Sequence, residues 1–169
     1  MSQQPTTPYD QPGSMARING IDLHYVLQGA PNKPVLALIN MASHNLTCWE
    51  IVLQPLLECY QVLRFDLRGT GKSGWGDEEQ FTFAQYADDL AGLLQHLRIH
   101  NAFVLGVAYG ARTAAQFALR HPDQLSGLAM CGVALTPPAD QGDQGALAAK
   151  AAELLQTAGL GMPERQKYW

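Results

Sequence analysis

The sequence predicts an α/β protein built on a mostly parallel sheet, and three observations carry that expectation. Four short apolar runs, Val35–Ile39, Val62–Phe65, Phe103–Val107 and Leu128–Leu135, lack clean alternation, as strands covered on both faces should. Stretches with apolar residues at helical spacing separate them. Strands alternating with helices call for right-handed crossovers, and therefore for parallel neighbours.

Residues 1–14 are polar and rich in Gln, Thr and Pro. Such a lead-in holds too few apolar groups to offset ordering entropy and is expected to be disordered. Ile18-Asn19-Gly20-Ile21-Asp22 then reads as a turn between two short strands, the second through Leu23-His24-Tyr25-Val26, which gives an antiparallel hairpin at a sheet edge. A first helix is expected from Trp49 to Cys59, with 49, 52, 53, 56 and 57 on one face. A second begins at a Thr82–Gln85 capping box, with Phe83, Tyr86, Ala87, Leu90, Leu93, Leu94 and Leu97 in one stripe. A third runs from about Gly110 to Arg120 and stops near Pro122. After Pro137-Pro138 the sequence turns Ala-, Gln- and Gly-rich, with a helix expected near 146–158 and no further strand.

Composition narrows the function classes. At 169 residues, 47% hydrophobic, the chain can bury one real core. A net charge of -4 offers no basic face, so nucleic-acid binding is not expected. Cys48, Cys59 and Cys131 are odd in number and lack metal-ligand spacing, so they read as buried thiols, with neither a disulfide framework nor a zinc site. No stretch approaches the roughly 20 apolar residues of a spanning helix, and residues 1–14 do not have the pattern of a secretory signal. A cytoplasmic location away from membranes is the default expectation.

Two glycine-bearing segments bear on chemistry. Gly71-Lys72-Ser73 mimics the end of a phosphate-binding loop, but the required glycine five residues earlier is Asp66, whose carboxylate would repel phosphate. Gly106-Val107-Ala108-Tyr109-Gly110-Ala111 follows a strand and opens a helix. As a dinucleotide fingerprint it is weak, because Ala108 stands where backbone must approach a pyrophosphate. As a nucleophile elbow, G-x-S-x-G, it fits except that Ala108 replaces the serine. Small residues serving helix–strand packing alone are a third reading, and the segment by itself leaves them open.

The surroundings favour the elbow. Val35 to Trp49, then Asp66-Leu67-Arg68-Gly69-Thr70-Gly71-Lys72-Ser73 after a strand, then the elbow, then Arg120-His121-Pro122-Asp123-Gln124-Leu125, follow the order of the α/β-hydrolase superfamily. Residues 16–138 resemble that family, and Ile39-Asn40-Met41-Ala42-Ser43 looks like its oxyanion loop, with Asn40-Met41 in place of the frequent His-Gly pair. Versions with Asn are similar to those of enol-lactone hydrolases. The resemblance implies a three-layer α/β-hydrolase-type sheet, mostly parallel, of which this chain holds the first six strands and not the C-terminal ones. It implies a core over 15–138 and the start of a lid over 139–169. It further implies an oxyanion hole from the N–H groups of Met41 or Ala42 and of Tyr109, elbow glycines Gly106 and Gly110, a small-molecule ligand, and no cofactor or metal.

Asn40 and His44 are candidate pocket residues, although a satisfied loop histidine is the alternative for His44. Asp66 and Arg68 are expected to hold their own loop; Trp49, Trp75 and Phe81 are expected to pack. Two departures from the family pattern matter for activity. A methyl group at Ala108 cannot attack a carbonyl, a loss of on the order of 10⁶-fold in triad enzymes. The family order is nucleophile, acid, histidine, yet the one histidine after Ala108 is His121, in a helix-terminating turn; Asp140 lies far beyond Ala134. The expectation is a chain of ester- or lactone-hydrolase ancestry that is inactive as it stands, or a small-molecule binder on the same fold. An alanine placed to trap substrate, a natural binding relative and a shortened gene product all remain open. The apolar run 128–135, left as a sheet edge, is expected to drive self-association.

Overall fold

A computed structural model describes residues 13–133. Six strands form one sheet: β1 (Ser14–Ile18), β2 (Ile21–Gln28), β3 (Val35–Ile39), β4 (Gln61–Phe65), β5 (Ala102–Val107) and β6 (Leu125–Cys131), in spatial order β1-β2-β4-β3-β5-β6. The β1–β2 and β2–β4 pairs are antiparallel, and the β4–β3, β3–β5 and β5–β6 pairs are parallel. Three helices, α1 (Glu50–Cys59), α2 (Phe83–His96) and α3 (Tyr109–Arg120), supply the crossovers. The expected α/β class and mostly parallel sheet are what the chain adopts.

The hairpin forms as its turn residues require. Asn19 and Gly20 both take positive φ, 44° and 83°, and close a two-residue turn that pairs Ile18 with Ile21. Positive φ at both central residues matches the right-handed twist of the flanking strands. Ser14 already pairs with Tyr25, so the strand begins inside the expected lead-in.

Period-two alternation splits the central strands between two cores. Ala37, Ile39, Leu63, Phe65 and Val104 face α2 and α3, whereas Leu36, Leu38 and Val62 face Trp49 and Leu53. Helices on both faces make the three layers. Leu90, Leu93 and Leu94 of α2 are fully buried, each contributing about 2 kcal/mol by area removed from water. The Thr82 side chain accepts from Gln85 N at 3.1 Å, but the Gln85 amide turns to Asp89 instead of closing the capping box.

Several sequence expectations need correction. The last strand spans Leu125–Cys131, not 128–135; Gly132 leaves it at φ 66°, and 134–135 lie outside the described residues. Val52, expected on the buried face of α1, is exposed because the helix turns its face along Trp49 and Leu53. Cys59 and Cys131 are exposed and Cys48 is half-buried, so the thiols are not core side chains. The expected lid over 139–169, with its helix and Asp140, lies outside the described residues. Among the described residues no helix is long and apolar enough to cross a membrane, and no cluster of His, Cys, Asp or Glu is arranged to hold a metal.

Candidate functional site

The site sits at the carboxyl ends of the parallel strands, where β5 turns into α3. β5 ends at Val107 and α3 starts at Tyr109, leaving Ala108 alone to reverse the chain at φ 51°, ψ -109°. That is a high-energy backbone for an alanine, of order 1–3 kcal/mol, held because its neighbours over-determine it. Ala108 N donates to Cys131 O at 2.8 Å and Ala108 O accepts from Ala111 N at 3.1 Å. Ala108 is exposed.

Two glycines permit this bend. A Cβ on Gly106 would lie 2.6 Å from Gly110 C and 2.7 Å from Ala111 N. On Gly110 it would lie 2.5 Å from Asn40 O and 2.8 Å from Ile39 C. The ends of β3 and β5 and the first turn of α3 therefore touch backbone to backbone. This contact brings the loop that begins at Asn40 beside Tyr109.

Asn40 does not line a pocket as expected. It is fully buried, with Nδ2 donating to Phe65 O at 2.8 Å and Oδ1 accepting from Trp49 Nε1 at 2.7 Å. A short amide this close to the sheet satisfies two otherwise stranded groups and fixes the start of the loop. Trp49 packs as expected, with its indole N–H on Asn40; Trp75 is largely exposed, edge-on to Phe81 at 5.9 Å.

Beyond Asn40 the loop runs at the surface. Met41 is half-buried and Ala42 is exposed; Ser43 takes φ 59°. His44 is exposed, and its Nδ1 lies 2.7 Å from Ala42 O. A carbonyl can only accept, so His44 carries its proton on Nδ1 and is a satisfied loop histidine. Among the described residues the amides of Met41, Ala42 and Tyr109 find no backbone acceptor. Tyr109 is in the first turn of α3, where N–H groups have no intrahelical partner and the helix dipole is positive.

The flank of the elbow is aromatic. The Tyr109 ring lies 4.6 Å from Phe83 and 5.9 Å from Tyr86, and the Arg112 guanidinium sits 5.7 Å from the Phe83 centroid. Burial, then the neighbouring Tyr109 phenol, pushes the Tyr86 hydroxyl well above its ordinary pKa. Burial also pushes the Cys48 thiol up, against a hydrogen bond from the Met41 backbone, and its Sγ lies 3.9 Å from Asn40 Oδ1.

The Asp66–Ser73 loop is a scaffold. Asp66 is buried, and its carboxylate accepts from Leu46 N (2.7 Å), Lys72 N (2.9 Å) and His24 Nδ1 (2.8 Å). The carboxylate thus fills the cradle of the loop that mimics a phosphate site. Arg68 is buried too, binding Asp89 through Nε (3.0 Å) and Nη2 (2.9 Å), Gln80 through Nη1, and Asn19 O through Nη2 at 3.2 Å. Asp66 and Arg68 hold their loop as expected. Their partners His24, Asp89 and Asn19 were not singled out by the sequence, because pairing across 42, 21 or 49 residues leaves no local pattern.

No triad assembles among the described residues. His121 caps the far end of α3, where its Nε2 meets Asp88 Oδ1 at 2.8 Å. Twelve residues of α3 separate it from the elbow, about 18 Å at 1.5 Å per residue. His24 is committed to Asp66 beneath the surface.

The strand order, with a strained strand-to-helix turn at the carboxyl end of β5, is that of a known three-layer α/β class. A profile of the alpha/beta hydrolase fold family matches residues 25–157, and the chain belongs to that family. It is similar to a Caulobacter vibrioides protein that bears the name "Putative carbamate hydrolase RutD", at 34% identity over 108 residues, 63% of this chain and 40% of that protein. Among solved structures it is similar to a hydrolase from Pseudomonas aeruginosa PA01 (33% identity, TM-score 0.66, 69% of this chain and 44% of that one). It is likewise similar to the enol-lactonase from Burkholderia xenovorans LB400 (32% identity, TM-score 0.66, 68% and 45%). The chain spans less than half the length of each of these relatives.

Proposed function

We propose that the chain carries the carbonyl-binding half of an ester- or lactone-type hydrolase site, and that with alanine at 108 it holds a small ester or carboxylate without cleaving it. The observation that carries this reading is the Ala108 backbone. A solvent-facing residue keeps a strained conformation next to the first-turn amide of a helix, with a second set of amides at 41–42 on the adjoining loop. Such donors stabilise negative charge on oxygen, whether it develops on a carbonyl or already sits on a carboxylate. The nucleophile is what the site lacks: a methyl group has no lone pair and no proton to give up.

Met41, Ala42 and Tyr109 supply the donors in this reading, Gly106 and Gly110 the close approach, and Ala108 the position above which the ligand carbon rests. The Tyr109–Phe83 wall gives the ligand an apolar side. Isothermal titration of the chain with butyrate and with methyl butyrate is the test. Saturable one-to-one binding of either is the expected result; no saturable heat for both removes the proposal.

A further inference from the structure

We propose that Asp66 is the positioning residue of the Met41–Asn45 loop, a role that rests on the reading of that loop as half of the anion site. The loop hangs between two anchors, and both lead to the end of β4. Asn40 fixes its start through Nδ2 on Phe65 O, and Leu46 fixes its end through its N–H on Asp66 Oδ1 at 2.7 Å. Between the anchors the loop's bonds among the described residues are local: His44 N donates to Met41 O at 3.3 Å, His44 Nδ1 to Ala42 O, and Thr47 and Cys48 donate back to Asn45.

The second carboxylate oxygen holds the first in place. Oδ2 accepts from Lys72 N at 2.9 Å and from His24 Nδ1 at 2.8 Å, which ties the carboxylate to the glycine loop and to β2. Asp66 N donates to His24 O, Ser73 Oγ donates to Asp66 O, and His24 N donates to Ser73 Oγ, so the backbone beneath is fixed as well. Gly71 lies so close that a Cβ there would come within 2.7 Å of Asp66 Oδ1. The carboxylate therefore has one place to sit, and the end of the donor loop is registered against it.

A carboxylate accepts on both oxygens at once, whereas a carboxamide has one accepting oxygen and an NH2 that only donates. Asparagine in its place must aim its NH2 either at Leu46 N–H or at Lys72 N–H, and both are donors. His24 can change tautomer to relieve one contact, but a backbone amide cannot. Asp66→Asn thus releases the loop end, or reorients the carboxamide and loosens its far support.

NMR on the full chain, with butyrate as the probe ligand, tests this against Asp88→Asn, which weakens the Arg120 and His121 bonds at the far end of α3 and touches neither Asp66 nor the loop. Loss of a charge-assisted bond should speed Leu46 amide exchange and weaken butyrate about tenfold or more in Asp66→Asn. Asp88→Asn should leave both nearly unchanged. Equal effects of the two variants on Leu46 and on butyrate would overturn the proposal, since both would then only loosen the fold. Should the unaltered chain bind no butyrate, the site reading fails by itself and Leu46 exchange alone decides the positioning role. If Asp66→Asn does not fold, His24→Ala decides: it removes one support of Oδ2, and Leu46 exchange rising above that of Asp88→Asn is the supporting result. Exchange equal to Asp88→Asn overturns it.

Discussion

Gly110→Ala puts the elbow geometry to a direct thermodynamic test, because two effects of opposite sign act on it. Gly110 is a helical residue with no positive φ, so an alanine there is free of backbone strain. On propensity alone the change would stabilise α3 by about 1 kcal/mol. The added Cβ, however, would lie 2.5 Å from Asn40 O and 2.8 Å from Ile39 C, and backbone cannot swing aside as a side chain can. Overpacking of that kind costs about 3 kcal/mol, the upper end of the usual range. The clash wins, with a net loss of about 2 kcal/mol, or roughly 8 °C in Tm for a domain of this size. Gly20→Ala is the comparison: Gly20 has φ 83° and open space around it, so its cost is the left-handed backbone alone, about 1 kcal/mol. Urea unfolding of the two variants and the parent gives the differences. Gly110→Ala that is neutral, stabilising, or milder than Gly20→Ala would refute the close approach of β3 and α3 on which the site depends.

Further outcomes follow from the same geometry. Ala108→Ser in this chain is expected to leave p-nitrophenyl acetate hydrolysis at background, since His121 is about 18 Å along α3 and His24 is committed to Asp66; turnover above background would mean that a base reaches residue 108. Burial raises the Asp88 pKa, but hydrogen bonds from Arg120 and His121 outweigh it and hold the carboxyl below its usual value. Its contribution to stability is therefore present above the ordinary carboxylate pKa and lost as pH falls through the lowered one. Asp88→Asn should flatten that acid limb in urea titrations run from pH 6 to 2, and an unchanged limb would exclude the pair as its source. Strand β6 reads Leu-Ser-Gly-Leu-Ala-Met-Cys, with no charge or proline, and pairs only with β5 among the described residues. Where nothing covers such an edge it templates pairing; concentration-dependent association in sedimentation is the outcome of that reading, and a monodisperse monomer would count against it.

What the sequence made legible was local. Asn19-Gly20 announces a turn because few residues tolerate positive φ twice in succession, and the hairpin register follows from it. Gly106 and Gly110 around Ala108 announce a bend because nothing larger fits beneath it. Long-range polar pairs were not legible. His24 looked like one residue in an alternating strand, and its partner lies 42 positions away. Asn40 read as a pocket candidate from its place in the segment that resembles an oxyanion loop, yet its amide turns inward onto Phe65 O and Trp49 Nε1. The edge of β6 was misjudged by several residues because apolar character continues past Gly132, whereas backbone pairing stops before it.

The tight turn at Ala108 is imposed by its neighbours and owes nothing to the alanine itself. Position 108 is in that sense a socket: any L-residue inserted there inherits the same outward aim. Chemistry at this spot can be exchanged by changing one side chain while the mould around it stays intact, so loss of reactivity and loss of shape become separable events in such a scaffold.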